Sequence, residues 1–182
     1  MNRFIRFSLP LAVFFWLGFI TTNSARPESE KTEAIHQSRE PVRVIFDTDM
    51  WSDIDDMLAL AMLHALHDRH EVNLLAVTIS TDDRWCAPYV DLVNTFYGHP
   101  RIPIGIVRGG MNVQRFRKKY PDMTWPVTRY TELVSQLKSN DGSLVYPHRL
   151  TAGVDAPEAV SLLRRTLAAQ PDNSVVVIQV GC

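Results

Sequence analysis

Short apolar runs alternate with amphipathic stretches along the chain from Val42 onward. Runs rich in β-branched residues predict buried strands, and apolar positions spaced by three and four predict helices. The predicted strands are 42–46, 72–79, 102–107 and 174–180, and the predicted helices are 54–67, 88–97 and 156–169. Strands that alternate with helices form right-handed βαβ units and lie parallel. The pattern therefore predicts an α/β fold with an open, mostly parallel sheet and Rossmann-like βαβ units.

Three segments carry further structural expectations. The first helix has apolar residues on most of its sides, so we expect it to be largely buried. The last strand, 174–180, contains the unbroken apolar run Val175–Ile178, which predicts burial on both faces. Residues 109–128, with a Gly-Gly pair and the basic run Arg115–Lys119, are expected to form an irregular, solvated loop.

The first 25 residues have the pattern of a secretory signal peptide. Arg3 and Arg6 precede the uncharged run Leu9–Ile20, and small or polar residues follow up to Ala25. The run is too short for a membrane span, which needs roughly 20 apolar residues. Residues 26–41 are polar and predict a flexible leader, so the domain is predicted at 42–182. We expect an exported protein, periplasmic or extracellular, with no membrane attachment after cleavage.

Composition narrows the class of protein but not its chemistry. The chain has 182 residues, of which 46% are hydrophobic, and this suits one globular domain. Lys and Arg number 19 against 20 Asp and Glu, and the net charge of −1 argues against nucleic acid as a partner. A homo-oligomer is left open. The two cysteines are Cys86 and Cys182, and we expect a buried or free Cys86 without a structural disulfide.

Five carboxylates fall within the ten residues from Asp47 to Asp56, directly after the first strand and at the start of the first helix. In open parallel sheets, ligands bind outside the carboxyl ends of the strands, where this turn falls. The three later acids have a structural alternative as helix-capping and first-turn residues, which does not account for Asp47 and Asp49. Like charges this dense repel unless a cation neutralises them, and oxygen ligands suit Ca²⁺ or Mg²⁺. We therefore predict a divalent-metal site.

This segment resembles a known family. Asp47-Thr-Asp, followed by Asp55-Asp56-Met-Leu-Ala-Leu, is similar to the N-terminal motif of the inosine–uridine-preferring nucleoside hydrolases. The turn is two residues longer than the family's Asp-x-Asp-Pro-Gly-x-Asp-Asp, and Met50-Trp51 replaces Pro-Gly. The segment from Leu74 to Asp83 resembles the next family segment, with Asp83 where the family generally has Asn. The likeness runs from Val42 to Gly181 and implies the N-terminal portion of a nucleoside hydrolase-like fold.

The resemblance implies an enzyme that hydrolyses ribonucleosides to ribose and base with one Ca²⁺. It assigns Asp47, Asp49 and Asp56 to the metal, and Asp49 also takes a proton from the attacking water. It assigns Asp55 to a ribose hydroxyl, and Asp83 stands at a further substrate-binding position. The water attacks the anomeric carbon through an oxocarbenium-like state, with a carboxylate as general base. Asp53 receives no role.

The family members extend beyond the residue that matches Gly181, and their later residues complete the site. The resemblance therefore implies weak Ca²⁺ binding and little hydrolase activity for this chain. An apolar last strand at a sheet edge also favours poor folding or dimerisation.

Two other functions remain as alternatives. The first is a catalytically inactive protein of the same fold that binds Ca²⁺ or ribose. The second is a haloacid-dehalogenase-type phosphatase, which also has a paired Asp-x-Asp but needs a small residue where Trp51 stands.

The histidines at 64, 67 and 70 are spaced by three, yet no acid or cysteine completes a metal set with them, and we expect them on the surface.

Overall fold

The computed structural model describes residues 40–51, 53–122 and 130–181. The predicted signal peptide, nearly all of the predicted leader, and Cys182 lie outside these ranges. None of the helices in the described ranges combines the length and hydrophobicity that crossing a membrane requires.

A sheet of four parallel strands forms the centre of the domain, in the order β3-β2-β1-β4. The strands are β1 Val42–Thr48, β2 Val72–Thr81, β3 Ile104–Met111 and β4 Val175–Gln179. The helices are α1 Asp55–Asp68, α2 Cys86–Phe96, α3 Val113–Lys119, α4 Tyr130–Ser135 and α5 Ala159–Ala168, with a 3₁₀ turn at Gly153–Asp155. The alternation confirms the predicted α/β fold with Rossmann-like units.

The helices lie on both faces of the sheet. On one face, Phe46 and Val77 belong to the main hydrophobic cluster, which includes residues of α1 and α2. On the other face, Ile45 packs with Leu162 of α5 in a smaller cluster. This arrangement follows from the strand order. The chain moves outward from β1 to β3 and then returns to the opposite side of β1, and a right-handed crossover places the returning helix on the other face.

The strand order creates a topological switch point between β1 and β4. The connections that leave β1 and enter β4 run to opposite sides of the sheet. In open parallel sheets, ligands bind at the carboxyl ends of the strands at such a point. The strands stay paired to their ends, because the Val180 N–H donates to the Asp47 carbonyl at 3.0 Å. The acidic turn follows β1 directly and therefore lies at this switch point.

The expectation that α1 is largely buried is wrong. Its inward line of Leu60, Leu63 and His64 is buried, whereas Leu58 and Met62 are 60% and 61% exposed. The helix covers the sheet from one side only, so its outer apolar residues meet solvent within the described part of the chain.

The expectation for β4 is also wrong. Val176 and Val177 are 48% and 50% exposed, because β4 is an edge strand of the described sheet and pairs there with β1 alone. Helix α5 packs against β2 and β3 instead of covering β4.

Residues 113–119 form the helix α3 and not the expected loop. The Asn112 side chain accepts a hydrogen bond from the Arg115 N–H at 2.9 Å, which caps the first turn. Three basic residues in the last turn face the negative end of the helix dipole. Residues 123–129 of the same predicted loop lie outside the described ranges.

Helix α5 begins three residues later than expected. The Glu158 carboxylate accepts hydrogen bonds from the Val160 and Ser161 amides, at 3.1 and 2.8 Å, and so caps the helix. The residues before it run along β3, where the Ile106 N–H donates to the Pro157 carbonyl at 3.0 Å.

Candidate functional site

Thr48 connects the end of β1 to the first turn of α1. Its side chain is fully buried, and its hydroxyl donates a short hydrogen bond to the Asp56 carboxylate. The same hydroxyl oxygen accepts the Met50 N–H at 3.0 Å. Met50 adopts a left-handed backbone with φ of 48° and is itself fully buried, and its carbonyl accepts the Cys86 thiol at 3.3 Å. These bonds fold the turn back over the sheet and fix the buried acid beneath it.

Gly181 lets the exit of β4 pass against this turn. A β-carbon at this position would lie 2.7 Å from the Thr48 carbonyl carbon and would overlap the Asp49 amide nitrogen. It would also lie 2.9 Å from the hydroxyl of Ser80, which donates to the Thr48 carbonyl at 3.4 Å. Only glycine fits here without moving the turn, so the two strand ends at the switch point form one tightly packed unit.

Asp56 carries the strongest electrostatic perturbation of the turn. The side chain is 3% exposed, and its pKa is raised from 3.8 to about 7. Burial is the largest cause, and the Thr48 hydroxyl opposes it. The Asp49 carboxyl raises the pKa further, both as a hydrogen-bond partner and as a like charge, and the charge of Asp55 adds to the effect. A carboxylate in these surroundings needs either a proton or a cation.

Three carboxylates of the turn converge. One oxygen from each of Asp53, Asp55 and Asp56 lies within 4.8 Å of the others, and Asp53 and Asp55 are exposed to solvent. Within residues 40–51, 53–122 and 130–181, this is the one group of three or more acidic, histidine or cysteine side chains with metal-binding spacing. Carboxylate oxygens are ligands of both Ca²⁺ and Mg²⁺, so the donor chemistry fits a hard divalent cation.

The three predicted metal ligands have different partners in the structure. Asp49 and Asp56 are in direct contact, as their shared hydrogen bond indicates. The Asp47 carboxylate accepts the Thr78 hydroxyl at 2.5 Å across the β1–β2 pair and is partly buried. The predicted set of Asp47, Asp49 and Asp56 therefore overlaps the observed acidic group at Asp56, and it stays a prediction.

The two predicted substrate residues lie on either side of the turn. Asp55 is exposed in the first turn of α1. Asp83 is partly buried, and its carboxylate accepts the Trp85 N–H at 2.9 Å where α2 begins. This bond gives Asp83 a structural part in the turn that precedes α2, beside its predicted contact with substrate.

The pKa of Cys86 depends on acids from two segments of the chain. Burial raises the pKa of this thiol well above 9, and the charges of Asp83, Asp49 and Asp56 raise it further. The charges of three acids, from the turn and from the end of β2, therefore act on one buried sulfur. The expected buried, free Cys86 is confirmed, and its thiol stays protonated as the donor to Met50.

Sequence reasoning missed Asp53 and Thr48. Asp53 lies in the part of the turn that the family motif lacks, so the motif assigns it no role, yet it joins the acidic group. Thr48 could have been found from strand alternation, since it points to the face opposite that of Asp47 and therefore toward the helix that carries Asp56. Tyr130, whose hydroxyl lies 3.8 Å from the Met50 sulfur, gave no signal in the sequence.

An aromatic contact joins the turn to a segment that was expected to be a loop. The rings of Trp51 and Phe116 meet edge to face, with centroids 5.1 Å apart. Helix α3 therefore supports one side of the acidic turn.

Comparisons of this chain with protein-family models, with curated proteins and with solved structures found no match. The likeness to nucleoside hydrolases rests on the motif residues themselves.

Proposed function

We propose that the acidic turn holds a divalent cation, Ca²⁺ by the family resemblance, and that the site hydrolyses the N-glycosidic bond of ribonucleosides. The observation that carries the proposal is the buried Asp56 carboxyl, in contact with Asp49 and grouped with two exposed acids at the switch point. Such a group is unfavourable as a bare set of negative charges, and it stands where open parallel sheets bind their ligands.

The four acids differ in exposure. Asp56 is buried and accepts the Thr48 hydroxyl, and the partly buried Asp49 contacts it, so we assign these two acids to the cation. Asp53 and Asp55 are exposed and accessible to ligands from solvent. When bound, the cation supplies positive charge that offsets the repulsion among the carboxylates and lowers the pKa of water.

Asp49 is the proposed general base. Its carboxyl is held beside Asp56, and a carboxylate within hydrogen-bond reach of a water can accept its proton as the water attacks the anomeric carbon. Asp55 is the proposed acceptor for a ribose hydroxyl, which its exposure allows. Asp83 is proposed to contact the same sugar, although its bond to the Trp85 amide occupies one carboxylate oxygen.

The test is release of ribose from inosine and from uridine by the full chain, in Ca²⁺ and in excess EDTA. We expect release that depends on Ca²⁺, slower than about 1 s⁻¹, the lower end of ordinary enzyme turnover. Asp49→Asn should abolish it because the amide cannot accept the proton. Asp172→Asn is the matched control, since this exposed acid lies in the turn before β4 and away from the site.

Each alternative has its own outcome in this experiment. Absence of any Ca²⁺-dependent ribose release would contradict the proposed hydrolase. Ca²⁺ binding without ribose release would favour the inactive binding protein. Release of phosphate from a nucleoside monophosphate, with no ribose from the nucleoside, would favour the phosphatase.

A further inference from the structure

A groove of about 440 Å³ lies beside the N-terminal half of β3, and none of the acidic residues of the turn lines it. Its floor is apolar and comes from both layers of the domain. Ile104 and Ala156 belong to the main hydrophobic cluster and Leu162 belongs to the smaller one, and all three are buried. The two clusters meet here because β3 is an edge of the described sheet. We call this feature the arginine groove, for the residues at its rim.

One wall of the arginine groove is the segment that precedes α5. Its Pro157 carbonyl accepts the Ile106 N–H at 3.0 Å, which fixes the segment along β3. The Arg108 guanidinium donates to the Gly153 carbonyl at 3.1 Å and also to the Ala156 carbonyl. These bonds hold the wall in place without a ligand.

Arg149 and Leu150 also line the groove, and a buried acid anchors them. The fully buried Asp91 carboxylate accepts the backbone N–H of Arg149 at 2.6 Å and that of Leu150 at 2.9 Å. It also accepts the Arg149 guanidinium at 2.8 Å. Because both segments are tied to the domain by such bonds, the groove is formed before any ligand binds.

The rim carries an excess of positive charge. Arg101, Arg149 and Arg165 line the groove, and no carboxylate of the described residues lines it with them. Asp91 balances the charge of Arg149. Arg101 and Arg165 are exposed, and neither guanidinium has a side-chain partner in the described ranges. Within the described part of the chain, two arginine side chains without an acidic partner therefore line a groove whose floor is apolar.

We propose that the arginine groove binds a small monoanion with an apolar body, of the carboxylate class. Arginine forms bidentate hydrogen bonds to carboxylates, and two free guanidinium groups at the rim can hold one anionic head. The apolar floor then takes the hydrocarbon or aromatic body, and the volume lies within the range of small-molecule sites. A bare anion leaves the floor uncovered, which is why the ligand needs both parts. This inference is independent of the proposed nucleoside hydrolysis.

The probe for the experiment is 2-naphthoate, which joins a carboxylate to an aromatic body. The full chain is titrated while the methyl NMR signals of Ile104 and Leu162 are followed. We expect those signals to shift with a Kd on the order of 1 mM or tighter, as the usual affinity per ligand atom implies. The uncharged analogue 2-naphthamide should bind at least about fivefold more weakly, because it lacks the charge that the arginines recognise.

Substitutions of single arginines test which side chains bind the carboxylate. Arg101→Gln and Arg165→Gln should each raise the Kd for 2-naphthoate about two- to fivefold, and the double variant about tenfold. Arg164→Gln is the matched control, because Arg164 is exposed on the same helix and does not line the groove. Its Kd should stay at the value of the unsubstituted chain. All three substituted positions are exposed, and circular dichroism tests whether each variant is folded.

Any of the following results would overturn the proposal. The first is no shift at Ile104 and Leu162 with 2-naphthoate. The second is equal affinity for 2-naphthamide, or an unchanged Kd in the double variant. The third is inorganic phosphate shifting the same signals with the affinity of 2-naphthoate, which would make the groove a site for bare anions.

Discussion

The hydroxyl of Thr48 shows how one side chain fixes the acidic turn. It donates to the buried Asp56 carboxylate and accepts the Met50 amide, so it serves two groups that have little access to solvent. Met50 is held in a left-handed conformation that a non-glycine residue adopts only when its surroundings favour it. The position of the candidate metal residues therefore depends on a residue that carries no charge.

Replacing Thr48 with Val tests this dependence. The change keeps the shape and removes the hydroxyl, which leaves the Met50 N–H and an Asp56 oxygen buried without their partner. We expect the free energy of unfolding in urea to fall by about 1–3 kcal/mol. Thr166→Val in α5 is the control and should change it by less than about 0.5 kcal/mol. A cost for Thr48→Val as small as that of the control would contradict the structural role of this hydroxyl.

The acids of the turn illustrate what the sequence alone could predict about the site. Their density and their place after a strand predicted where the site lies. Which of them meet could not be predicted, because that depends on the path of a turn with a left-handed Met50. The extra residues of the turn bring Asp53 toward Asp55 and Asp56, a geometry that no local pattern encodes.

At the scale of elements, a hydrogen bond of the buried His64 connects α1 to α2. The expectation of surface histidines is wrong for His64, which is fully buried, and the ring of His67 is partly buried. The His64 Nε2 lies 2.9 Å from the Asn94 Oδ1, and the ring stacks on Tyr97 at 4.9 Å. Burial is the largest cause that lowers the pKa of His64 from 6.5 to about 4, with smaller contributions from the nearby charges of His99 and His67.

This shift predicts how stability depends on pH. Between about pH 6.5 and pH 4 the unfolded chain binds a proton at His64 that the folded chain does not, so the contribution of His64 to stability is lost as pH falls through this window. The loss should amount to about 1–3 kcal/mol. The raised pKa of Asp56 acts in the opposite direction over the same window, because the folded state binds the extra proton there.

The measurement is therefore a comparison of urea unfolding at several pH values, in EDTA, between the unsubstituted chain and His64→Gln. We expect the free-energy difference between the two proteins to shrink as pH falls from 6.5 to 4. His70→Gln, at an exposed position, should leave the pH dependence unchanged. A difference between the unsubstituted chain and His64→Gln that stays constant with pH would contradict a neutral, buried His64.

The elements themselves were largely predictable from the sequence, and their surroundings were not. Strands β1 and β2 were predicted because their apolar runs reflect burial on both faces of a central strand. The same reasoning failed for β4, since an apolar run does not reveal that its strand stands at an edge of the described sheet. Helix α3 was missed although Asn112 is a strong capping residue, because the glycine pair and the basic run favoured a loop.

At the scale of the whole molecule, the strand order places the acidic turn where parallel sheets bind ligands. An acid-rich segment at the start of a helix has a structural explanation in helix capping. The N-cap position of α1 is Ile54, however, and its side chain makes no capping hydrogen bond. The turn instead lies at the switch point between β1 and β4, against Gly181, with a buried acid whose pKa is raised. These features favour a cation site over a purely structural cap.

The central claim is that this turn binds a divalent cation, and calorimetric titration of the full chain with Ca²⁺ tests it most directly. We predict binding with a Kd on the order of 10⁻⁴–10⁻³ M, as in other calcium sites of modest affinity. Asp56→Asn should weaken it at least about tenfold while keeping an acceptor for Thr48, and Asp172→Asn should leave it unchanged. Failure of the unsubstituted chain to bind Ca²⁺, or equal affinity in Asp56→Asn, would contradict the account.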